Sequence, residues 1–172
     1  LMAIIKVKSA GLTLSDNFAF TGTVTGAGEN NTPSFMAFLS SNQSISNTTT
    51  TKIEIDTEVY DTDSAYDNSS NYRFTVPSGK AGKYYLFATV RPNTGTDFEF
   101  SQVYIKKNGS DRMQSTARNE NYGSVHTFGI DDASAGDYYE VFYYQDSGGT
   151  INVSGNGSVF RTCFGGFLVK ET

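Results

Sequence analysis

In the run NYRFTV, Tyr72, Phe74 and Val76 alternate with Arg73 and Thr75; in KYYLFATV, Tyr84, Leu86, Ala88 and Val90 fall on one face. A repeat of two residues is the signature of a strand, whose successive side chains point to opposite faces. Pro-Ser-Gly-Lys-Ala-Gly lies between the two runs and supplies turn residues. The same reading predicts strands over 34–39, 52–60, 71–76, 83–91, 98–107, 112–118, 124–130, 137–144, 150–153 and 162–169. PNTGT, KNGS, DASAGD, QDSGG and SGNGS punctuate the later ones. No stretch longer than a few residues holds a helical period, so the chain reads as all-β, a sandwich or a barrel.

Two of these strands are apolar on both faces. Tyr85 and Phe87 occupy the face opposite Tyr84 and Leu86. In DYYEVFYYQ, Tyr139, Val141 and Tyr143 alternate with Tyr138, Phe142 and Tyr144. One face packs the core between sheets. The other needs a cover that a small sandwich does not supply, and a partner subunit is the simplest one. Tyr85, Phe87, Phe142 and Tyr144 are therefore the expected subunit-contact residues, with Phe142 nearest the assembly axis.

The first part of the chain differs. It carries three short apolar runs, 3–7, 12–14 and 18–24, and then Gly26, Gly28, Asn30 and Asn31, which read as a hinge. Residues 1–31 are expected to form an extended arm and 32–172 the sandwich. An arm with so few apolar residues cannot close a core alone, so it is expected to be ordered by pairing with a neighbouring chain.

Composition narrows the function. The 172 residues suffice for one domain with its own core. The net charge of −5 argues against nucleic acid, and Lys6 with Lys8 or Lys106 with Lys107 are isolated pairs on strand faces. Met2 reads as a natural start, and no apolar run reaches the length of a membrane span. Cys163 is the single cysteine, so no intrachain disulfide forms, and it reads as a small buried hydrophobe.

Several segments, taken in order, resemble the C1q-like domain, the C1q/TNF jelly roll: PSFMAFLS, EVYDTDSAYDNSSNYRF, FTVPSGKAGKYYLF, VYIKKNGS, AGDYYEVF and CFGGFLV. They span about 33–170, with Tyr139 standing where the family usually has Val. The resemblance implies a two-sheet antiparallel jelly roll assembled as a homotrimer, with ligand recognition by outer loops and no catalysis. Animal members usually carry a signal peptide and often a collagen stem, and neither is present in this sequence. The arm, MAIIKVKSAGLTLSDNFAFTGTVTGAG, is similar to the N-terminal segment of bacteriophage tail-fibre-like virion proteins. That similarity implies a particle-surface protein, a fibre tip, knob or capsid or tail decoration, that mediates host attachment, with the arm gripping other virion proteins. A phage origin makes the Asn-x-Ser/Thr sites at Asn42, Asn47, Asn68, Asn108, Asn152 and Asn156 products of composition rather than glycan sites. The alternative is a secreted, extracellular C1q-like module that binds a carbohydrate or protein ligand.

Candidate chemistry is sparse. Asp56 with Glu58, or Asp61 with Asp63, could form the carboxylate pair of a glycosidase, but solvated strand residues account for them equally. His126 is the only histidine and no Gly-x-Ser-x-Gly elbow exists, so it reads as a structural or interface residue and the chain as no enzyme. Asp61, Asp63 and Asp67 echo a calcium loop, yet Tyr66 and Tyr72 replace its glycine and its glutamate. They remain weak candidates for calcium, which some C1q-like trimers hold through loop carboxylates; no other cofactor is expected. Tyr66, Asn68, Asn93, Asn119, Asn121 and Tyr122 are the candidate ligand-binding loop residues, suited to glycan hydroxyls by stacking and paired hydrogen bonds, though ordinary turn chemistry also accounts for them.

Overall fold

The computed structural model describes residues 31–93, 95, 99–118 and 123–172. The expected arm, apart from Asn31, and the candidates Asn119, Asn121 and Tyr122 lie outside the described residues. Within them the secondary structure is all strand and turn. The strands are β1 (Ser34–Phe38), β2 (Gln43–Ile45), β3 (Thr51–Lys52), β4 (Thr57–Asp61), β5 (Tyr66–Asp67), β6 (Arg73–Thr75) and β7 (Gly82–Val90). They continue with β8 (Ser101–Lys107), β9 (Ser110–Ala117), β10 (Val125–Ala133), β11 (Tyr138–Gln145), β12 (Ile151–Val153) and β13 (Cys163–Glu171).

Five strands form one sheet in the order β10-β7-β13-β1-β4. The second runs β5-β6-β11-β8-β9, with β3 also pairing β11, and β12 pairs β2 as a separate ribbon. Every pairing is antiparallel. Apart from the β5–β6 and β8–β9 hairpins, successive strands lie in different sheets, as in a jelly roll.

The core is the layer where the two sheets meet. Phe35 of β1 stacks on Phe74 of β6 with centroids 4.5 Å apart, on Tyr66 of β5 at 5.4 Å, and meets Phe164 of β13 edge-on at 5.0 Å. Tyr84, Leu86, Ala88 and Val90 are buried, as their alternation predicts, and so are Tyr139, Val141 and Tyr143. Each buried ring contributes roughly 1.5–3 kcal/mol by the area it removes from water.

Where a longer strand was expected over 52–60, the chain instead leaves β3 in one sheet and enters β4 in the other. Ile53 and Ile55 on the crossing are fully buried. Their alternation reflects one side of a connection plugging the end of the core, and a two-residue period cannot tell that from a ladder.

At the opposite flank β10 and β9 are held by charge. The Asp131 carboxylate is buried and accepts hydrogen bonds from Arg112 Nε of β9 at 2.7 Å and from the Tyr139 hydroxyl of β11 at 2.8 Å. Lys107 of β8 lies 3.5 Å from it and 3.0 Å from Asp137. This cluster ties the edge of one sheet to three strands of the other.

Candidate functional site on the outer face of the five-stranded sheet

The register of the first sheet decides which outward side chains become neighbours. Phe128 of β10 stands opposite Phe87 of β7, which stands opposite Gly165 of β13, then Met36 of β1 and Tyr60 of β4. The adjoining row is Ile130, Tyr85, Phe167 and Ser34. Tyr85 and Phe167 have centroids 5.5 Å apart, and Tyr85 and Phe87 6.3 Å. Gly165 has a direct role: a Cβ there would lie 2.5 Å from the Phe87 ring, so the missing side chain lets the ring fold over β13.

The result is one contiguous apolar face. Phe128 and Ile130 are 67% and 60% exposed, and Tyr60 is 48% exposed. Its ends are polar. Lys83 pairs with Asp132 at 2.8 Å on one side, and the Thr89 hydroxyl lies 2.9 Å from His126 Nδ1 on the other. An apolar centre with a polar rim is the anatomy of a protein interface, and an exposed patch of this kind marks an interaction surface.

The four rings expected to make subunit contacts are divided by the fold. Tyr85 and Phe87 lie on this face. Phe142 and Tyr144 point outward from β11, in the other sheet, and are half-buried by their own neighbours. Phe142 pairs with Tyr104 across β8, and Lys106 Nζ sits 4.9 Å above its ring. Tyr144 stacks on Phe100 at 5.4 Å. The two outer faces of a sandwich point in opposite directions, so the two pairs do not form one surface.

The loop candidates are likewise dispersed. Tyr66 is corrected to a core residue: it is buried and its hydroxyl donates to the Ile55 carbonyl at 3.0 Å. Asn68 lies in the turn between β5 and β6, whereas Asn93 follows β7 and donates its backbone N–H to Asn152 at 2.7 Å. Asp61, Asp63 and Asp67 are not gathered into one cluster. No three His, Cys, Asp or Glu side chains among the described residues are grouped to hold a metal ion. Each carboxylate serves its own turn instead. Asp61 accepts from the backbone of Asp63 and Tyr66, Asp63 from the Thr62 hydroxyl, and Asp67 from the backbone of Ser69 and Ser70 and the Asn71 amide. The Ser70 backbone bond leads the set that holds the Asp67 carboxyl well below the usual carboxylate range. Asp56, considered for a glycosidase pair, is occupied by the Ser40 backbone and hydroxyl at 2.8 and 2.6 Å. Cys163 is buried, and that burial pushes its thiol up, as expected for a packing residue.

Phe128, Ile130 and Phe167 are the face residues that sequence reasoning missed. The clue was present in VHTFGID, where His126, Phe128 and Ile130 alternate with Val125, Thr127 and Gly129. The larger apolar side chains there lie on the outward face, the reverse of an ordinary amphipathic strand.

Neither family models nor curated protein sequences match the chain. Solved structures do. The globular domain of zebrafish complement 1qA protein is 13% identical, with a TM-score of 0.54 over 81% of this chain and 99% of that one. Eiger TNF from S. frugiperda is 9% identical, with a TM-score of 0.55 over 81% and 93%. Murine APRIL is 14% identical, with a TM-score of 0.58 over 79% and 99%. At such identities the likeness establishes the fold: a C1q/TNF-like jelly roll of two antiparallel sheets.

Proposed function

We propose that the chain is a non-enzymatic structural and recognition protein that assembles as a homotrimer through the outer face of its five-stranded sheet. The observation that carries this is the row Phe128, Phe87 and Met36 beside Ile130, Tyr85 and Phe167, apolar across four adjacent strands, with Phe128 and Ile130 exposed and the other four half-buried within one chain. The flanks that a subunit presents to its neighbours converge on a three-fold axis, and one repeated contact closes the ring. A face lying beside that axis meets this requirement; two back-to-back faces do not. The C1q-like resemblance favours three copies over two.

The setting we propose is the surface of a virus particle, where the trimer is a fibre tip, knob or decoration that contacts the host surface. The support is the similarity of residues 1–31 to phage tail-fibre-like proteins. The chain leading from that segment enters beside β13, where the Asn31 amide donates to the Leu168 carbonyl at 3.0 Å. Sedimentation of the wild-type protein at micromolar concentration tests the assembly: a trimer is expected, and a clean monomer overturns it. Deleting residues 2–30 tests the setting. The truncated protein should stay folded and trimeric yet fail to join particles, and normal incorporation overturns the role given to the arm.

A further inference from the structure

A second surface lies away from that face, where the β1–β2 connection, the β3–β4 crossing and the β5–β6 turn meet. They enclose a cleft of about 350 Å³ lined by Asn42, Glu54, Asp56 and Tyr72, among others. This is the small end of the roughly 300–1,000 Å³ range of ligand pockets, room for one or two sugar rings. We infer that this cleft binds a neutral pyranose, using Asn42, Glu54 and Asp56 for its hydroxyls and Tyr72 for its ring face.

The argument starts from how the lining groups are held. Asn42 Oδ1 accepts the Gly155 backbone N–H at 3.0 Å, which fixes the amide and leaves both Nδ2 hydrogens as donors. Gly155 has no room for a Cβ, which would fall 2.2 Å from the Ser41 carbonyl, so the loop bearing Asn42 is pressed against a fixed neighbour. Asp56 is set by Ser40 and Thr57, which take both acceptor positions of Oδ1 and one of Oδ2, so that one position on Oδ2 remains for a ligand hydroxyl. Gln43 bridges the Glu54 backbone N–H and the Lys52 carbonyl, at 2.9 and 2.8 Å, and so fixes the Glu54 backbone, while its exposed carboxylate has no ion-pair partner among the described residues. Asn42 and Asp56, fixed from behind, lose little freedom when they bind, and that preorganisation favours affinity.

Tyr72 completes the wall. Its φ of 49° is unusual for a bulky side chain. The turn that delivers it is fastened by Asp67 through Ser69, Ser70 and Asn71. Strain retained at one aromatic residue beside a polar hollow fits a site where the ring's position matters.

The chemistry selects the ligand. Vicinal hydroxyls offer donors to the two carboxylates and acceptors to the Asn42 amide, and the C–H face of a pyranose suits an aromatic ring. Two carboxylates with no cation in the lining repel acidic sugars. A metal ion would leave the amide donors and the ring unused. The site is built within one chain, so the inference goes beyond the trimer and does not depend on it.

Saturation-transfer NMR on the intact protein with the methyl glycosides of glucose, galactose, mannose and N-acetylglucosamine tests this. At least one should give saturable millimolar binding, and N-acetylneuraminic acid should give none. Glu54→Gln should weaken that binding about tenfold, the loss of one charge-assisted hydrogen bond. Tyr72→Gly should abolish it without lowering Tm, because glycine accepts the positive φ. Both variants should sediment like the wild type. The inference is overturned if no glycoside binds, if binding survives both substitutions, or if arginine methyl ester displaces the sugar signal in the wild type and the site is a cation site.

Discussion

Phe128 and Phe142 both stand on outward faces of long strands, yet Phe128 is 67% exposed and Phe142 lies under a lysine. The difference is in their neighbours. Around Phe128 the register places Phe87 and, one row on, Ile130 and Tyr85, all apolar and none long enough to fold over the rest. Around Phe142 it places Tyr104 and Lys52, and Lys106, whose ammonium lies 4.9 Å above the ring, reaches across it. Arg73 does the same for Tyr138, 4.3 Å from its ring centre. Lysine and arginine cover apolar surface while keeping their charge in water. An outward ring therefore indicates an interface only where its sheet neighbours leave it bare.

The largest effect should come from placing a charge on each face in turn. Ile130→Asp puts a carboxylate into the proposed dry contact, where an unpaired buried charge costs about 4 kcal/mol, or about a thousandfold in association. Sedimentation should show monomers. Phe142→Asp should leave the assembly intact, because Lys106 and Lys52 flank the new carboxylate and the site is half-exposed. Its cost should be confined to a lower Tm from the lost packing. If Phe142→Asp splits the assembly and Ile130→Asp does not, the roles of the two faces are reversed.

These residues also show what the sequence could and could not reveal. Alternation placed Tyr84, Leu86, Tyr139 and Tyr143 inward, because the period of two is local and needs no knowledge of pairing. It showed as well that β7 and β11 are apolar on both faces. It could not show that the outward rings of β7 and β11 lie on opposite sides of the molecule, since that depends on pairings between strands far apart in the chain, such as Phe167 with Tyr85. The same limit hid the cleft: Asn42, Glu54 and Tyr72 are separated in sequence and meet only through the crossover after β3. Tyr66 looked like a loop residue because Asp and Ser surround it, yet its ring turns into the core against Phe35.

The charged flank supplies a smaller test, since it joins the two faces at their shared edge. Burial pushes the Asp131 carboxyl up, but hydrogen bonds from Arg112 and Tyr139 and the charge of Lys107 outweigh it, and the net shift is downward. Asp137 is lowered to about 2, chiefly by the Asn108 amide. A carboxylate whose folded value is depressed stabilises the protein above its unfolded value, 3.8 for Asp. That contribution is lost as the pH falls through the folded value. Thermal melts should therefore show Tm falling as the pH drops below about 4, the reference range for Asp. Asp131→Asn should lower Tm at pH 7 through a loss of about 2 kcal/mol, less than a fully buried pair because Arg112 and Lys107 can reach water. It should also flatten the acid limb. An unchanged acid limb in that variant would remove Asp131 as its source.

The finest comparison sets two inward rings of β11 against each other. Tyr139 and Tyr143 are both fully buried and differ only in what their hydroxyls meet. The Tyr139 hydroxyl donates to Asp131 at 2.8 Å, whereas the Tyr143 hydroxyl meets only that of Ser101 and makes no well-formed hydrogen bond among the described residues. A hydrogen bond to a charged group is worth about 1.5 kcal/mol or more, and deleting the Tyr139 hydroxyl also removes one of the bonds that offset the burial of Asp131. Tyr139→Phe should therefore lower Tm by about 3–6 °C for a chain of this size. An unpartnered buried hydroxyl carries a desolvation cost with no return. Tyr143→Phe removes that cost and leaves the ring in place, so Tm should hold or rise by a few degrees. Differential scanning calorimetry of the two variants decides the matter: equal losses would mean that Tyr143 has a partner in solution and that the contrast between the two rings is false.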